Sequence, residues 1–214
     1  MTVAAWNNSP WARQAIAVAT EMTEDSAPEA EGVDAARDRY ARAGDPKDFA
    51  RVIDLLQPRL LAYLRRQLRD TCTAEDLVQI CFLKLHQHRG RFAPGAAVLP
   101  YAFAIARRLL IDKLRSDRRE RGRDQEIAHQ DLPRFQSPDE GLANRQILAR
   151  IEAVLRDLPR SQREAFELTA LDGLSLEAAA AVTDTTPTTL KMRKHYARAA
   201  LRARLGQDIE EMLR

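Results

Sequence analysis

The sequence predicts an all-α protein made of two small helical domains joined by a flexible linker. Apolar residues recur at helical spacing over 46–119 and again over 144–205. Between these blocks, residues 120–142 are mixed in charge and lack clean periodicity. The chain of 214 residues has 10 Pro, 8 Gly and only 6% aromatic residues, which favours helices over sheets. We therefore predict an N-terminal extension (1–45), a first domain (46–119), a linker (120–142), a second domain (143–206) and a C-terminal tail (207–214).

The extension divides into a short helix and an acidic, partly disordered tether. Ser9 can cap a helix that begins at Pro10, and Trp11 starts its apolar stripe. Residues 21–34 then hold six acids and no base. The extension is either a frayed end, or its acidic part shields a basic face and its helix docks on a partner.

The first domain opens with two amphipathic helical segments. Phe49 starts the apolar stripe of the first and Leu60 that of the second, with Pro58 expected at the joint or in a first turn. A turn is predicted at Asp70–Thr73, and Thr73 is expected to cap the next helix.

That next helix, AEDLVQICFLKLH, carries two apolar surfaces. Ile80 and Leu83 lie on one side, level with Asp76 and Gln79. The opposite arc would pack on the domain and comprises Leu77, Val78, Cys81, Phe82 and Leu85. A small apolar patch framed by polar groups is typical of a helix that binds another protein. The alternative is that a further helix of the same domain covers the patch.

The segment 86–100 is expected to be a loop, and Tyr101–Arg119 a helix with one apolar and one basic side. Residues 107–123 hold eight bases against three acids, one of which is Asp112. Tyr101 is expected beside the arginines, where cations would meet phosphates and the ring an unstacked base. The arginines of this side are Arg107, Arg108, Arg115, Arg118 and Arg119. A solvated charged face is the alternative interpretation.

The second domain has the pattern of a helix-turn-helix. An amphipathic helix over Asn144–Leu158 precedes a capping box at Ser161–Glu164, which opens a helix ending at Asp172. Ser175 can cap a short third helix, and Thr186 a longer fourth one after a tight turn.

The fourth helix has a basic outward face. Residues 190–204 hold six bases and no acid, while Leu190, Ala197, Leu201 and Leu205 point inward. Outward residues near its start would meet base edges in a major groove, and the later arginines would meet phosphates. The candidate DNA-binding residues are Thr188, Thr189, Lys191, Met192, Arg193, His195, Arg198 and Arg202.

Several classes of protein do not fit the sequence. Cys72 and Cys81 are the only cysteines and form no CxxC, and no ligand set has metal spacing, so no disulfide, metal or cofactor is expected. No nucleophile with a base, carboxylate cluster or phosphate loop indicates an enzyme. We also expect no membrane insertion and a cytoplasmic location, because there is no apolar run of about 18 residues and no signal peptide.

The stretch AEDLVQICFLKL, then RF, then YAFAIARRLLIDKLR resembles region two of bacterial RNA polymerase sigma factors, specifically the extracytoplasmic-function group. The resemblance implies that Asp76, Gln79 and Leu83 contact the clamp helices of core polymerase. It places Arg107, Arg108, Asp112 and Arg115 in the helix that opens and holds the minus-ten promoter strand. Family members usually have Trp where Tyr101 stands, Asn where Arg108 stands and an acid where Ile80 stands.

The stretch LPRSQREAFELTALDGLS, followed by TPTTLKMRKHYARAALRARL, is similar to region four of the same family, which reads the minus-thirty-five element. Asp184 replaces a usual Gly in its turn. The resemblance implies a non-catalytic initiation factor that binds core RNA polymerase (clamp helices and flap) and promoter DNA, and that an anti-sigma factor controls. The alternatives are a stand-alone helix-turn-helix regulator and a helical protein-interaction adaptor.

Overall fold

The computed structural model describes residues 28–68, 70–91, 97–121, 150–151 and 153–205, and every regular element in these ranges is helical. They belong to two compact units, one N-terminal and one C-terminal. None of the described helices is long and apolar enough to cross a membrane. The helix predicted from Ser9, residues 122–142 of the linker and the tail 207–214 lie outside the described residues.

Within the described residues, the N-terminal unit has four helices and one short turn of 3-10 helix. They are α1 (Pro28–Ala43), α2 (Pro46–Gln67), α3 (Thr71–Gln87), the 3-10 turn (Arg89–Arg91) and α4 (Val98–Arg121). Tyr63 of α2 and Phe103 of α4 meet edge to face in its core, with ring centroids 5.4 Å apart. The same helices bury five further apolar side chains completely: Leu56, Leu60, Leu64, Ile105 and Leu110.

Helix α1 corrects the predicted boundary at residue 46. Val33, Ala36 and Tyr40 are buried, and the Tyr40 ring stacks on Phe49 of α2 at a centroid distance of 4.7 Å. The helix ends at Ala43 and is followed by Gly44, whose φ of +70° is a conformation that glycine adopts without strain. Residues 28–43, predicted as part of the extension, are therefore an integral helix of this unit.

Three predicted element boundaries in this unit are also wrong. Helix α2 runs unbroken through Pro58, because that residue and Asp54 are exposed and water can satisfy the carbonyl left without a partner. Helix α3 begins at Thr71, since Asp70 and not Thr73 is its cap, and it ends at Gln87. Helix α4 begins at Val98, three residues before the predicted start, with a proline in its first turn.

The C-terminal unit is built around a helix-turn-helix. Residues 150–151 and 153–156 are helical, followed by α5 (Arg160–Phe166) with a π-helical continuation (Glu167–Leu171), α6 (Leu176–Val182) and α7 (Pro187–Leu205). Its core comprises Ile151, Val154, Leu155, Phe166, Ala197 and Leu201. The predicted capping box at Ser161–Glu164 is wrong, because α5 starts at Arg160 and no side chain caps it.

Candidate functional site

Helix α3 presents a solvent-facing surface that we call the α3 patch: Asp76, Gln79, Ile80 and Leu83. All four residues are exposed, Ile80 by 39% and Leu83 by 56%. The opposite arc is buried as predicted: Leu77, Val78, Cys81, Phe82 and Leu85. No helix in the described part of the chain covers the patch.

Two contacts fix the orientation of α3. Asp70 caps its start by accepting bonds from the amides of Cys72 (3.2 Å) and Thr73 (2.9 Å). The Thr73 hydroxyl also donates to Asp70 at 2.6 Å, and these bonds lower the pKa of the Asp70 carboxyl. On the buried side, the Cys81 thiol donates to the carbonyl oxygen of Ala102 in α4 at 3.5 Å. Burial raises the pKa of this thiol, which makes it a packing group.

Only some of the arginines predicted on the basic side of α4 are fully exposed. Arg115, Arg118 and Arg119 are exposed, whereas Arg107 and Arg108 are half-buried. Arg108 Nε lies 3.3 Å from Asp112 Oδ2, one turn along the helix. The fully exposed arginines of α4 therefore lie toward its C-terminal end.

Tyr101 does not lie on this basic side. It is only 1% exposed, and its hydroxyl forms a 2.6 Å hydrogen bond with Nδ1 of the buried His88. The start of α4 is buried on every side from Val98 to Ala106, so the exposed basic surface begins only at Arg107. The expectation of an exposed ring is wrong, and Tyr101 instead holds the start of α4 to the end of α3.

Helix α1 caps the start of α4, a contact that sequence reasoning missed. Asp34 Oδ1 accepts a 2.6 Å hydrogen bond from the amide of Val98. Burial raises the pKa of Asp34 to about 6, although the Val98 bond and the charge of Arg37 act in the opposite direction. The succession Gly44-Asp45-Pro46 could have revealed α1, because it combines a helix stop, a cap and a helix start.

The helix-turn-helix of the C-terminal unit is locked by the caps that the sequence predicted. Ser175 Oγ accepts from the amide of Ala178 at 3.1 Å, and Thr186 Oγ1 accepts from the amide of Thr189 at 3.2 Å. The turn between α6 and α7 holds Asp184 at a φ of +54°. These contacts fix the direction in which α7 leaves the turn.

Helix α7 has the two faces expected from the sequence. Leu190, Ala197 and Leu201 are buried, and Leu205 is half-buried. Seven of the eight candidate DNA-binding residues are exposed, the exception being the half-buried Arg193: Thr188, Thr189, Lys191, Met192, His195, Arg198 and Arg202. Tyr196 is 53% exposed and was absent from the predicted set. Tyr196 stands in the sequence between the exposed His195 and the buried Ala197. That position was the signal that could have placed Tyr196 on the outward face.

The described residues contain no group of three or more His, Cys, Asp or Glu side chains that could hold a metal ion. The two units carry exposed surfaces of different character. They are an apolar and acidic patch on α3, a basic strip on α4 and an exposed basic helix in a helix-turn-helix. Such surfaces bind macromolecules.

Comparison with known proteins finds one family in both units. The family model for Sigma-70 region 2 matches residues 52–120, and that for Sigma-70, region 4 matches residues 148–201. The RNA polymerase sigma factor CarQ of Myxococcus xanthus is 30% identical over 152 residues, covering 70% of this chain and 84% of that protein. The ECF RNA polymerase sigma factor EcfG of Rhodopseudomonas palustris (strain TIE-1) is 34% identical over 135 residues, covering 63% of this chain and 72% of that protein.

A solved structure is similar as well. The sigma factor RpoE from Bartonella quintana, in complex with the anti-sigma factor NepR, matches with a TM-score of 0.65 and 28% identity. The match covers 76% of this chain and 99% of that chain.

Proposed function

The chain belongs to the sigma-70 family of RNA polymerase sigma factors, in the extracytoplasmic-function group, and we propose that its surfaces divide promoter recognition between its two units. It is a transcription initiation factor that directs core RNA polymerase to specific promoters. In our proposal the α3 patch binds the polymerase clamp helices, and the basic side of α4 holds the separated minus-ten strand. Helix α7 reads the minus-thirty-five element in the major groove.

The observation that carries this proposal is the pairing of the α3 patch with the α4 basic side in one small unit. An apolar patch beside Asp76 suits a protein partner with basic side chains, whereas Arg115, Arg118 and Arg119 suit phosphates. Because α3 and α4 pack directly together, attachment to polymerase positions the basic helix. The protein thus acts by positioning DNA and needs no catalytic activity of its own.

The mechanism is bivalent binding. Each unit alone is expected to hold DNA weakly, since each offers only a few exposed cations. Once polymerase fixes the separation of the two units, the second DNA contact becomes intramolecular and the overall affinity rises.

The factor acts where polymerase acts, which for a bacterial chain is the cytoplasm. An anti-sigma factor that covers the α3 patch would block attachment to polymerase.

Run-off transcription with purified core polymerase on fragmented genomic DNA tests this function. The intact protein is expected to give discrete promoter-dependent transcripts. Asp76→Ala and Leu83→Ala should each reduce them about 5- to 30-fold, because loss of a buried interface contact costs on the order of 1–2 kcal/mol. Asp54→Ala is the matched control, since it removes an exposed carboxylate of the same unit outside the patch.

Absence of any promoter-dependent transcript from the intact protein would overturn the function. Equal transcription by Asp76→Ala, Leu83→Ala and Asp54→Ala would not contradict membership of the family. It would show that the α3 patch does not bind polymerase as proposed. A stand-alone helix-turn-helix regulator would instead bind duplex DNA tightly without polymerase, and it would leave the α3 patch with no partner.

A further inference from the structure

Helix α7 carries large apolar side chains on the face that points away from its own core. Met192 is 46% exposed and Tyr196 is 53% exposed, and they lie one helical turn apart. Thr188 lies one turn before Met192 and is also exposed. We refer to Thr188, Met192 and Tyr196 as the α7 ridge.

The α7 ridge lies outside the buried core of the C-terminal unit. The buried stripe of the helix is Leu190, Ala197 and Leu201. At ~100° per residue, Met192 lies roughly 180° from the centre of that stripe, on the opposite side of the helix. Two large apolar side chains kept adjacent and exposed indicate a binding surface.

The charges around the ridge are complementary to an anionic partner such as duplex DNA. Helix α7 contains no acidic residue. Lys191, His195 and Arg202 are exposed along one flank of the ridge. An apolar strip with a cationic border suits an anionic partner that has apolar groups recessed between its charges. The major groove fits this description, because phosphates line its edges and the C5-methyl group of thymine projects from its floor.

Resting on the promoter-reading role proposed above, we infer that the α7 ridge selects thymine in the upstream promoter element. Met192 and Tyr196 pack against thymine C5-methyl groups, while Lys191 and Arg202 hold the flanking phosphates. An A·T pair is thus chosen by burial of a methyl group, and the phosphate contacts add affinity without base preference.

Replacement of thymine by uracil tests this inference, because it removes only the methyl group. The probe is a promoter recovered by run-off transcription, synthesised with deoxyuridine in place of thymidine in the upstream element. Holoenzyme assembled from the full chain and core polymerase is titrated with labelled thymine and uracil duplexes. The wild-type holoenzyme should bind the uracil duplex about fourfold more weakly for each buried methyl group that the uracil duplex lacks.

Variants assign the effect to the ridge. The double variant Met192→Ala, Tyr196→Ala should bind the two duplexes equally, and Tyr196→Phe should keep the wild-type ratio because it keeps the ring. Arg202→Ala is the matched control on the same helix: it should weaken binding to both duplexes and leave their ratio unchanged. Circular dichroism of each variant should show the wild-type helical spectrum, because all three positions are exposed.

Equal binding of both duplexes by wild-type holoenzyme would overturn the inference while leaving the proposed function in place. A ratio that persists in the double variant would also overturn it, since the methyl groups would then be read elsewhere. Loss of core polymerase binding in the double variant would show that protein covers the ridge, which again rejects thymine selection. If no promoter transcript appears at all, the proposed function fails and the inference fails with it.

Discussion

Replacing Asp34 by asparagine is expected to stabilise the N-terminal unit at neutral pH. The Asp34 carboxyl is half-buried between α1 and the start of α4, and its pKa is raised from 3.8 to about 6, mainly by burial. Asparagine removes the charge but keeps an oxygen that can accept the 2.6 Å bond from the Val98 amide. The substitution therefore separates the cost of the buried charge from the benefit of the cap.

The magnitude follows from the pKa shift. A rise from 3.8 to about 6 corresponds to about 3 kcal/mol when the carboxyl is fully ionised. Because Asp34 is only half-buried, solvent screens part of this cost, and about 1–2 kcal/mol is the expected gain at pH 7.5. Asp34→Ala loses the oxygen as well, and an unpaired amide costs about 1–3 kcal/mol. The alanine variant should therefore be less stable than the asparagine variant at every pH.

The sign of the pH dependence is fixed by the same shift. The folded state holds the Asp34 proton more tightly than the unfolded chain, so the free energy of unfolding falls as pH rises from about 4 to about 6. The asparagine variant has no such proton. Its advantage over wild type should be complete above pH 6 and should disappear toward pH 4.

Urea unfolding followed by circular dichroism measures this effect, with hydrogen exchange at the start of α4 to locate it. Asp54→Asn, at an exposed carboxylate of α2, is the control and should change stability by less than about 0.5 kcal/mol. The reasoning is refuted if Asp34→Asn is less stable than wild type at pH 7.5. In that case the ionised cap on Val98 and the attraction of Arg37 outweigh desolvation.

Three further predictions follow from single contacts. Asp112→Asn should strengthen holoenzyme binding to a labelled single strand by about two- to fivefold, because it releases Arg108 from the 3.3 Å ion pair; weaker binding would mean that Asp112 itself contacts the DNA. Iodoacetamide should alkylate the exposed Cys72 and spare the buried Cys81 in the native protein, as peptide mass spectrometry would show, and equal labelling would contradict that packing. Asp184→Gly should stabilise the C-terminal unit by about 0.5–1 kcal/mol in calorimetry, since glycine adopts a φ of +54° without strain, whereas a loss of stability would show that the Asp184 side chain is needed.

The sequence located most of the helices and the exposed faces of two of them. The exposure of Ile80 and Leu83 and the burial of Leu190 and Leu201 were both predicted from apolar spacing. These predictions are confirmed because they depend only on the pitch of a helix whose residues are consecutive in the chain. The caps at Ser175 and Thr186 were equally local and are confirmed by hydrogen bonds.

Two predictions of helix boundaries failed where the local pattern left more than one arrangement open. Pro58 was expected at a joint, but one continuous buried stripe keeps α2 intact. Thr73 was expected as a cap, but Asp70 binds two amides and the Thr73 hydroxyl itself. At Pro58 the packing of α2 overrode the local signal. At the start of α3 two capping residues three positions apart were available, and Asp70 is the one that caps the helix.

The sequence by itself determined the helical class, the order of the two units, the family and the helices that carry the exposed surfaces, because repeated apolar spacing and short motifs encode these features. The tertiary structure alone decided that Tyr101 is buried against His88, that α1 belongs to the N-terminal unit and that Asp34 caps Val98 across 64 residues. Such contacts join residues that no periodic pattern connects, and their existence depends on which helices become neighbours once apolar surface is buried.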